Sequence, residues 1–176
     1  MQYKVEKIKK HHDRKSFNCG ITALNSYLQT TARQANERHI SKTFVACDPS
    51  VPQAIMGFLT LSTISVFPSP NHSLYTDYPH PLYGIKLARM GVDLRYQGQA
   101  LGSQLIIHAL RKTTAISEQT GVIGLFVDPK NTQLIKYYAT FGFEKVDPDS
   151  PSLEMWLPLS DCEEAVAQLP PLEHED

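Results

Sequence analysis

The stretch that decides the fold runs from residue 90 to residue 107 and reads Met90-Gly-Val-Asp-Leu-Arg-Tyr-Gln-Gly-Gln-Ala-Leu-Gly-Ser-Gln-Leu-Ile-Ile107. Its first residues, 90–94, have the pattern of a strand, and apolar residues at helical spacing begin at Leu101. Between them lies a polar loop that carries Gly98, Ala100 and Gly102. Small residues at alternate positions let several main-chain N–H groups point toward one ligand, and the positive end of the following helix adds charge there. The stretch therefore predicts a phosphate or pyrophosphate site.

The spacing of the small residues separates three kinds of phosphate loop. A P-loop requires a lysine directly after its last glycine, and Ser103 follows Gly102 here. A dinucleotide-binding loop requires G-x-G-x-x-G, whereas this loop has Gly98-x-Ala100-x-Gly102. The pattern Arg95-x-x-Gly98-x-Ala100 resembles the acyl-CoA loop R/Q-x-x-G-x-G/A of the GNAT N-acetyltransferases. Taken alone, the loop is also compatible with an ordinary glycine-containing turn between a strand and a helix.

A second segment carries the same resemblance further along the chain. Residues 121–128 form an apolar run typical of a buried strand, and residues 129–140 have a helical pattern in which Pro129 suits the first position. The segment supplies Asn131-x-x-Leu134-x-x-x-Tyr138 and then Phe141-Gly142-Phe143, in the order and at the distance found in GNAT enzymes. With two matching motifs, the chain is identified as a member of that family.

The resemblance implies a mixed α/β (α+β) GNAT fold, in which a central, mostly antiparallel sheet with splayed middle strands is flanked by helices. A chain of 176 residues with 41% hydrophobic and 20% charged residues suits one domain with a sizeable core. We expect the acetyltransferase domain over residues 1–160 and an acidic C-terminal tail, with a short helix, over residues 161–176. Local patterns predict further elements: a strand at 3–8, a helix of about fifteen residues capped by Thr22, a hairpin over 39–46 and 54–65, a loop over 67–81, a central strand over 82–94 and a last strand over 152–157.

The resemblance also assigns roles to individual residues. It implies acetyl-CoA as the acetyl donor and Tyr138 as the general acid that gives a proton to the departing thiolate. The main chain of residues 90–92 would pair with the pantetheine arm, and splaying of that strand from residues 124–127 would leave unpaired groups to polarise the thioester carbonyl. Asp93 and Asp128 are candidate bases by proximity, and each is equally a candidate cap or loop residue. The donor-binding residues implied are Met90, Gly91, Val92, Arg95, Gln97, Gly98, Gln99, Ala100, Leu101, Gly102, Ser103 and Asn131.

A narrower resemblance begins near the N-terminus. Residues 17–28 match F-[DN]-C-G-x-x-x-L-N-x-[aromatic]-L, a pattern of the GNAT toxins of bacterial toxin–antitoxin pairs. This resemblance implies that the acceptor is the α-amino group of an aminoacyl-tRNA, that acetylation blocks translation, and that the partner is a ribbon-helix-helix antitoxin. By the same analogy the protein forms a homodimer. The chain departs from the family at Ala100, where glycine is usual, and at Pro129, where a small residue is usual.

The charged residues are distributed unevenly along the chain. Residues 1–42 contain nine Lys/Arg and three Asp/Glu, a balance of +6, and the remaining residues contain eight against fifteen, a balance of −7. The basic segment includes Arg33, Arg38 and Lys42, and together with Arg89 it is a candidate surface for tRNA. A solvated basic face without a partner explains the same pattern equally well.

The composition disfavours several other classes of protein. No run of eighteen apolar residues is present, and the first residues lack the apolar region of a secretory signal, so we expect a cytoplasmic protein. The three cysteines lack metal-ligand spacing and the pair His11–His12 has no evident third ligand, so no metal is expected. Two alternatives to an aminoacyl-tRNA enzyme stay open: a GNAT that acetylates a small amine or a protein, and a non-catalytic acyl-CoA-binding or RNA-binding module.

Overall fold

The computed structural model describes residues 2–70 and 72–170, with the main chain only at Tyr75. A 3₁₀ turn, Leu94–Tyr96, precedes the longest helix. In chain order the elements are β1 (Lys4–Lys7), α1 (Thr22–Thr30), α2 (Ala32–Glu37), β2 (Lys42–Asp48), β3 (Val51–Val66), α3 (Ser73–Asp77), β4 (Leu82–Val92), α4 (Leu101–Ser117), β5 (Gly124–Val127), α5 (Thr132–Ala139), β6 (Glu144–Lys145), β7 (Met155–Pro158) and α6 (Leu159–Ala167).

The strands form a seven-stranded sheet in the order β1-β2-β3-β4-β5-β7-β6. The pairs β1–β2, β2–β3, β5–β7 and β6–β7 are antiparallel. The hairpin predicted over residues 39–46 and 54–65 is present as β2 and β3, and the Asp48 carboxylate accepts the N–H of Ser50 in its turn at 2.8 Å. The mixed α/β fold with a mostly antiparallel sheet is thus confirmed, and the splaying of its middle strands stays a prediction. None of the helices in residues 2–70 and 72–170 is long and apolar enough to cross a membrane.

The chain divides into two compact units. The first unit contains the described part of residues 1–63 together with residues 86–109, and its core is built on aromatic and aliphatic side chains of α1, β2 and β3. Phe17 and Phe58 meet edge to face there, with ring centres 5.4 Å apart, and Leu28 of α1 is fully buried. The aromatic pair holds the segment before α1 against β3, since such pairs stabilise packing beyond the area they bury, and the buried Leu28 joins α1 to the same cluster.

The second unit contains residues 64–85 and the described residues from 110 onward. Its core includes Phe126 of β5 and Trp156 of β7, whose rings stack with centres 5.5 Å apart. Gly84 of β4 is required by this packing, because a Cβ at that position would lie 2.4 Å from the Phe126 ring. Strand β5 is buried at all four of its residues, as its apolar run predicts.

Two helix starts differ from the prediction. The residue that precedes α1 is Ile21, and Thr22 is the first helical residue and not its cap. The helix that carries the second motif, α5, begins at Thr132. Pro129 therefore lies before this helix and is not its first residue. The predicted start was three residues early because the apolar pattern alone does not show which polar side chain caps the helix.

The single N-terminal helix that the sequence predicts is interrupted at Thr31, which separates α1 from α2. The Thr30 hydroxyl donates to the carbonyl of Ser26 at 2.7 Å and lies 3.1 Å from the Thr31 hydroxyl. Threonine side chains that bond the preceding turn commonly bend a helix. As a result Ala32 and Ala35 of α2 are buried, and Thr31 at the break is exposed.

The segment 67–81, predicted as a loop, contains the short helix α3. The imidazole of His72 accepts the main-chain N–H of Leu74 at 3.2 Å and caps the start of this helix. At the other end of the chain, α6 occupies the first part of the predicted acidic tail and buries Cys162. Asn71 and residues 171–176 lie outside the described residues.

Candidate active site

The predicted donor loop connects β4 to α4 within the first unit. Helix α4 begins at Leu101, as predicted, and residues 97–100 before it are exposed. Gly98 and Ala100 have positive φ angles of 73° and 63°. This left-handed conformation is open to glycine and costs free energy at any residue with a Cβ, which gives a physical reason for the glycine that related loops carry at position 100.

The start of α4 is suited to bind an anion. The first turn of a helix has N–H groups without intrahelical partners, and the positive end of the helix dipole lies there. Gly102 and Ser103 belong to this turn, which contains no acidic side chain. A Cβ added to Gly98 would meet no atom within 4 Å, so the surface of the loop is open to a ligand. The main chain from Gln97 to Ser103 therefore fits the diphosphate of an acyl-CoA donor.

Two of the predicted donor-binding residues have a side chain or a Cβ position turned into the core. The Leu101 side chain is buried and lies 3.3 Å from the position that a Cβ would take at Gly57. At Gly91 a Cβ would lie 3.1 Å from the Phe58 ring and 3.3 Å from Cys19 Sγ. Leu101 and Gly91 can therefore serve a donor only through their main-chain groups, which agrees with the strand-like pairing implied for residues 90–92.

Arg95 is directed at a protein carboxylate. Its Nε and one terminal nitrogen donate to the two carboxylate oxygens of Asp93 at 2.8 and 3.0 Å, and its side chain is 57% exposed. Burial alone would raise the pKa of Asp93, but hydrogen bonds from Arg95 and from the main-chain N–H groups of Asn18 and Arg95 outweigh it and hold the pKa below its usual value. Asp93 is thus the cap of the 3₁₀ turn, one of the two roles predicted for it, and a weak base.

Tyr138, the predicted general acid, lies on α5 in the second unit. It is the one buried residue of that helix, and its ring meets those of Tyr137 and Phe143 at centre distances of 5.6 Å each. Burial, reinforced by the neighbouring Tyr137, raises the pKa of Tyr138 to about 12, so the phenol keeps its proton at neutral pH. In the part of the chain that the structure describes, the Tyr138 hydroxyl has no hydrogen-bond partner, which leaves its proton available to a substrate atom.

Asn131 and Asp128 precede α5 and have local partners. The Asn131 side-chain oxygen accepts the N–H of Leu134 at 2.9 Å and caps the helix. Its predicted contact with the donor would therefore involve the side-chain amide N–H₂ or the main chain, and that contact stays a prediction. Asp128 pairs with Lys130 at 2.7 Å and is 41% exposed. Both candidate bases, Asp93 and Asp128, therefore have a cationic partner.

Three of the four predicted RNA-binding residues lie in the same part of the first unit. The Arg89 guanidinium lies over the ring of Tyr27, and the Tyr27 hydroxyl is 3.4 Å from Ser41, which precedes Lys42. Lys42 Nζ is 2.9 Å from His39 Nδ1. Arg38 is exposed and caps the C-terminal end of α2, directly before His39, whereas Arg33 is paired with Glu37 within α2. The sequence did not single out Tyr27 as the support for Arg89, although Tyr27 is the aromatic residue of the N-terminal motif.

A cluster of potential metal ligands lies at the end of β1. Atoms of Glu6, His11 and His12 lie within 4.8 Å of one another, and Glu6 is the third member that the sequence did not reveal. However, His12 Nδ1 accepts the main-chain N–H of Lys9 at 2.9 Å, so the ring carries its proton on Nε2, which donates to Glu6 at 2.8 Å. A metal ligand would need this nitrogen without its proton. The cluster is thus a hydrogen-bonded anchor of the turn, and the expectation of no metal stays a prediction.

The three cysteines are free thiols, and all of them are buried. Burial raises the pKa of Cys47 to about 12 and that of Cys162 to about 11, so both remain protonated at neutral pH. Cys19 Sγ lies 3.8 Å from the carbonyl of Ile21 and packs beside Gly91.

The fold and this site define the class of the protein: the chain belongs to the acetyltransferase (GNAT) family, whose profile matches residues 14–143. It is therefore an N-acetyltransferase that takes its acetyl group from acetyl-CoA. The chain is similar to the tRNA-acetylating toxin of Mycobacterium tuberculosis, with 28% identity over 149 residues that cover 84% of this chain and 86% of the relative. It is also similar to the probable toxin TacT of Sinorhizobium fredii, with 24% identity over 166 residues that cover 85% and 86%. A crystal structure of a KacT mutant matches with a TM-score of 0.84 and 25% identity, covering 94% of this chain and 99% of that one.

Proposed function

We propose that this enzyme acetylates the α-amino group of an aminoacyl-tRNA and acts in the cytoplasm as the toxin of a toxin–antitoxin pair. The observation that carries the proposal is the Tyr138 phenol, which is protonated at neutral pH and has no partner among the described residues. Such a group suits an acyl transfer in which a thiolate departs and must receive a proton.

The donor would be held by the main chain of residues 97–103, with Met90, Gly91 and Val92 presenting main-chain groups to its pantetheine arm. The acceptor amine attacks the thioester carbonyl, so that a C–N bond forms, the C–S bond breaks, and the acetyl group leaves the sulfur. The amine loses one proton to solvent, the Tyr138 hydroxyl gives one proton to the sulfur, and the resulting phenolate takes one proton back from solvent, so that the products are the amide and the CoA thiol. Asn131 stays a proposed donor contact.

The absence of a strong base among the two candidate carboxylates favours an α-amine as the acceptor. Asp93 is held by Arg95 and Asp128 is paired with Lys130, so neither is a free carboxylate. An α-amino group has a pKa of about 7.7–8.0, and an adjacent ester lowers it further, so much of it is already neutral. A lysine acceptor, with a pKa of about 10.4, would need a base to remove its proton. An aminoacyl ester is therefore the acceptor that this site could use unaided.

The substrate's RNA part would bind to the basic residues of the first unit. Arg38, Lys42 and Arg89 offer exposed or half-buried cations near one another, and Arg33 adds a fourth on α2. Phosphate contacts of this kind supply affinity without reading sequence. The similarity to a relative named as a tRNA-acetylating toxin supports the same acceptor. By resemblance, a ribbon-helix-helix antitoxin would be the protein partner, and a homodimer would be the assembly.

The proposal is tested by transfer of labelled acetyl groups from acetyl-CoA to a bulk tRNA pool. Charged tRNA should become labelled, and the label should be released by mild alkali, which hydrolyses the aminoacyl ester. Two matched controls use the same tRNA after deacylation and after chemical acetylation of the amino group, and neither should accept label. No label on charged tRNA, from enzyme that binds acetyl-CoA, would contradict the proposal and direct attention to small amines and proteins as acceptors.

A further inference from the structure

The turn at residues 18–20 is joined to the start of the donor loop through main-chain groups. The Asn18 N–H donates to the Asp93 carboxylate at 3.0 Å, and the Asn18 carbonyl accepts the N–H of Leu94 at 2.8 Å. The Asp93 side chain is 3% exposed, so these bonds are shielded from water. Asp93 also donates its main-chain N–H to the carbonyl of Met56 at 2.9 Å. The end of β4 is thereby held on one side by β3 and on the other by the turn.

The Gln97 side chain makes a second connection between the same two segments. Its amide nitrogen donates to the carbonyl of Cys19 at 3.1 Å and to that of Val92 at 2.9 Å. Both amide hydrogens are therefore used by the protein, and the remaining side-chain atom, Oε1, is an acceptor. A phosphate needs donors, so the Gln97 side chain is not suited to contact the donor directly.

Helix α1 holds the turn in place through two side-chain hydrogen bonds of Asn25. The Asn25 side-chain oxygen accepts the N–H of Cys19 at 2.9 Å, and its amide nitrogen donates to the Asn18 side-chain oxygen at 2.9 Å. That same oxygen accepts the N–H of Gly20 at 2.9 Å, and Gly20 has the left-handed φ of 83° that this tight turn requires. Asn25 makes no hydrogen bond to residues 97–103 among those that the structure describes.

These bonds leave a short free stretch in the donor loop. Asp93, Leu94 and Gln97 are bonded to the turn, and Leu101 is buried at the start of α4. Only residues 98–100 span the interval between the two anchors, and they are exposed. A loop that is ordered on folding loses no further conformational entropy when its ligand binds, which raises the affinity for that ligand.

We propose that Asn18, Asn25, Asp93 and the Gln97 side chain are positioning residues for the donor loop. They set the geometry of its main-chain N–H groups without touching acetyl-CoA, and this is the role of the N-terminal motif at residues 17–28. The inference rests on residues 97–103 being the donor loop, as stated under the proposed function.

The test uses Asn25→Ala in the full-length enzyme, because Asn25 lies behind the turn and away from the loop. Asn36→Ala is the matched control: the Asn36 side chain also accepts a main-chain N–H in the first unit, that of Thr43 at 3.2 Å, but it has no connection to the loop. We expect the Kd for acetyl-CoA, measured by calorimetry, to rise about five- to tenfold in Asn25→Ala and to stay unchanged in Asn36→Ala. At saturating acetyl-CoA, kcat should be unchanged in Asn25→Ala.

A second variant protects the test against a general loss of stability. If the turn at residues 18–20 and the donor loop act through one connection, the effects of the two substitutions are not independent. The double variant Asn25→Ala/Gln97→Ala should then raise the Kd for acetyl-CoA by less than the product of the two single fold-changes. An unchanged Kd in Asn25→Ala, or an equal rise in Asn36→Ala, would overturn the inference while leaving the proposed reaction intact. Wild-type enzyme that binds no acetyl-CoA would overturn the assignment of the loop, and the inference with it.

Discussion

The Arg89 guanidinium lies 4.2 Å from the centre of the Tyr27 ring. The aromatic face attracts the cation and restricts its motion, while the side chain stays exposed. The Tyr27 ring is in turn stacked near Phe58, with centres 6.4 Å apart. Because its support belongs to the core of the first unit, Arg89 is a pre-oriented cation, whereas most surface arginines sample many conformations.

This arrangement predicts that Arg89 contributes more to tRNA binding than Arg33 does. Arg89→Gln should weaken binding and lower the slope of log K against log salt by about one, since one phosphate contact is lost. Arg33→Gln should have a smaller effect because Arg33 is already paired with Glu37. Binding of deacylated tRNA at several salt concentrations measures both quantities. Equal slopes for Arg89→Gln and wild type would show that Arg89 makes no phosphate contact with the RNA.

Tyr138→Phe should lower kcat by about 10²–10⁴-fold, the usual contribution of a positioned acid. The Kd for acetyl-CoA should not change, since the phenol is assigned to the chemical step. Tyr137→Phe is the matched control, because it removes the same atom from the adjacent, less buried ring. Single-turnover kinetics with saturating acetyl-CoA separate the two variants. If both keep wild-type rates, the proton must come from another group.

The pH dependence of the single-turnover rate should show only a rising limb. The rate should increase as the acceptor amine loses its proton, below or near pH 8. No fall should follow up to pH 9.5, because burial raises the pKa of Tyr138 to about 12 and its phenol remains protonated. The measurement requires correction for spontaneous hydrolysis of the aminoacyl ester. A decline in rate near pH 9 would identify an acid with a lower pKa than that of Tyr138.

Ala100→Gly should leave stability unchanged or raise it by up to about 1.6 kcal/mol. Relief of the left-handed conformation at φ 63° gains about 1–2 kcal/mol, and the greater freedom of glycine in the unfolded chain offsets about 0.4–1 kcal/mol. Ala100→Val, with a branched Cβ at the same φ, should instead be destabilising. Urea unfolding of the two variants and wild type tests the sign of each change. A glycine variant less stable than wild type would show that the strain is absent.

His12 should make stability depend on pH below its ordinary pKa of 6.5. Burial lowers its pKa below the ordinary value of 6.5, so the unfolded chain takes up a proton at a higher pH than the folded one. The contribution of neutral His12 to the free energy of unfolding is therefore fully present above pH 6.5, and it is lost as the pH falls toward the folded-state pKa. His12→Asn, which keeps an acceptor for the Lys9 N–H, should unfold with a flatter pH dependence than wild type. Matching curves for His12→Asn and wild type would assign the dependence to other groups.

The elements that could be predicted from the sequence are those with a local pattern. Apolar periodicity and alternation identified α4, β5 and the β2–β3 hairpin, and the small residues of the loop identified its turn before α4. The break at Thr31 was missed because it depends on hydroxyl bonds to the preceding turn, which periodicity does not contain. The start of α5 was misplaced because Pro129 and Asn131 are both acceptable starts, and only the observed bond to Leu134 decides between them.

The support of the site could not be predicted in the same way. The bond between Asn18 and Asp93 joins residues that are 75 positions apart, and each residue has an ordinary local explanation as a turn or cap residue. Glu6 became part of a cluster with His12 only because β1 and the following turn fold back on each other. The motifs thus predicted the candidate reacting groups, whereas the contacts that support them could be identified only in the structure.

Burial of the thiols makes a simple optical assay possible. All three cysteines of the chain are inside the protein, and two of them have pKa values of about 11 and about 12. Thiol reagents react with accessible thiolates, so the folded enzyme should consume such a reagent very slowly. Each acetyl transfer, by contrast, releases one free CoA thiol into solution. A chromogenic disulfide reagent should therefore count turnovers continuously against a low blank, with the native enzyme and without replacing any cysteine.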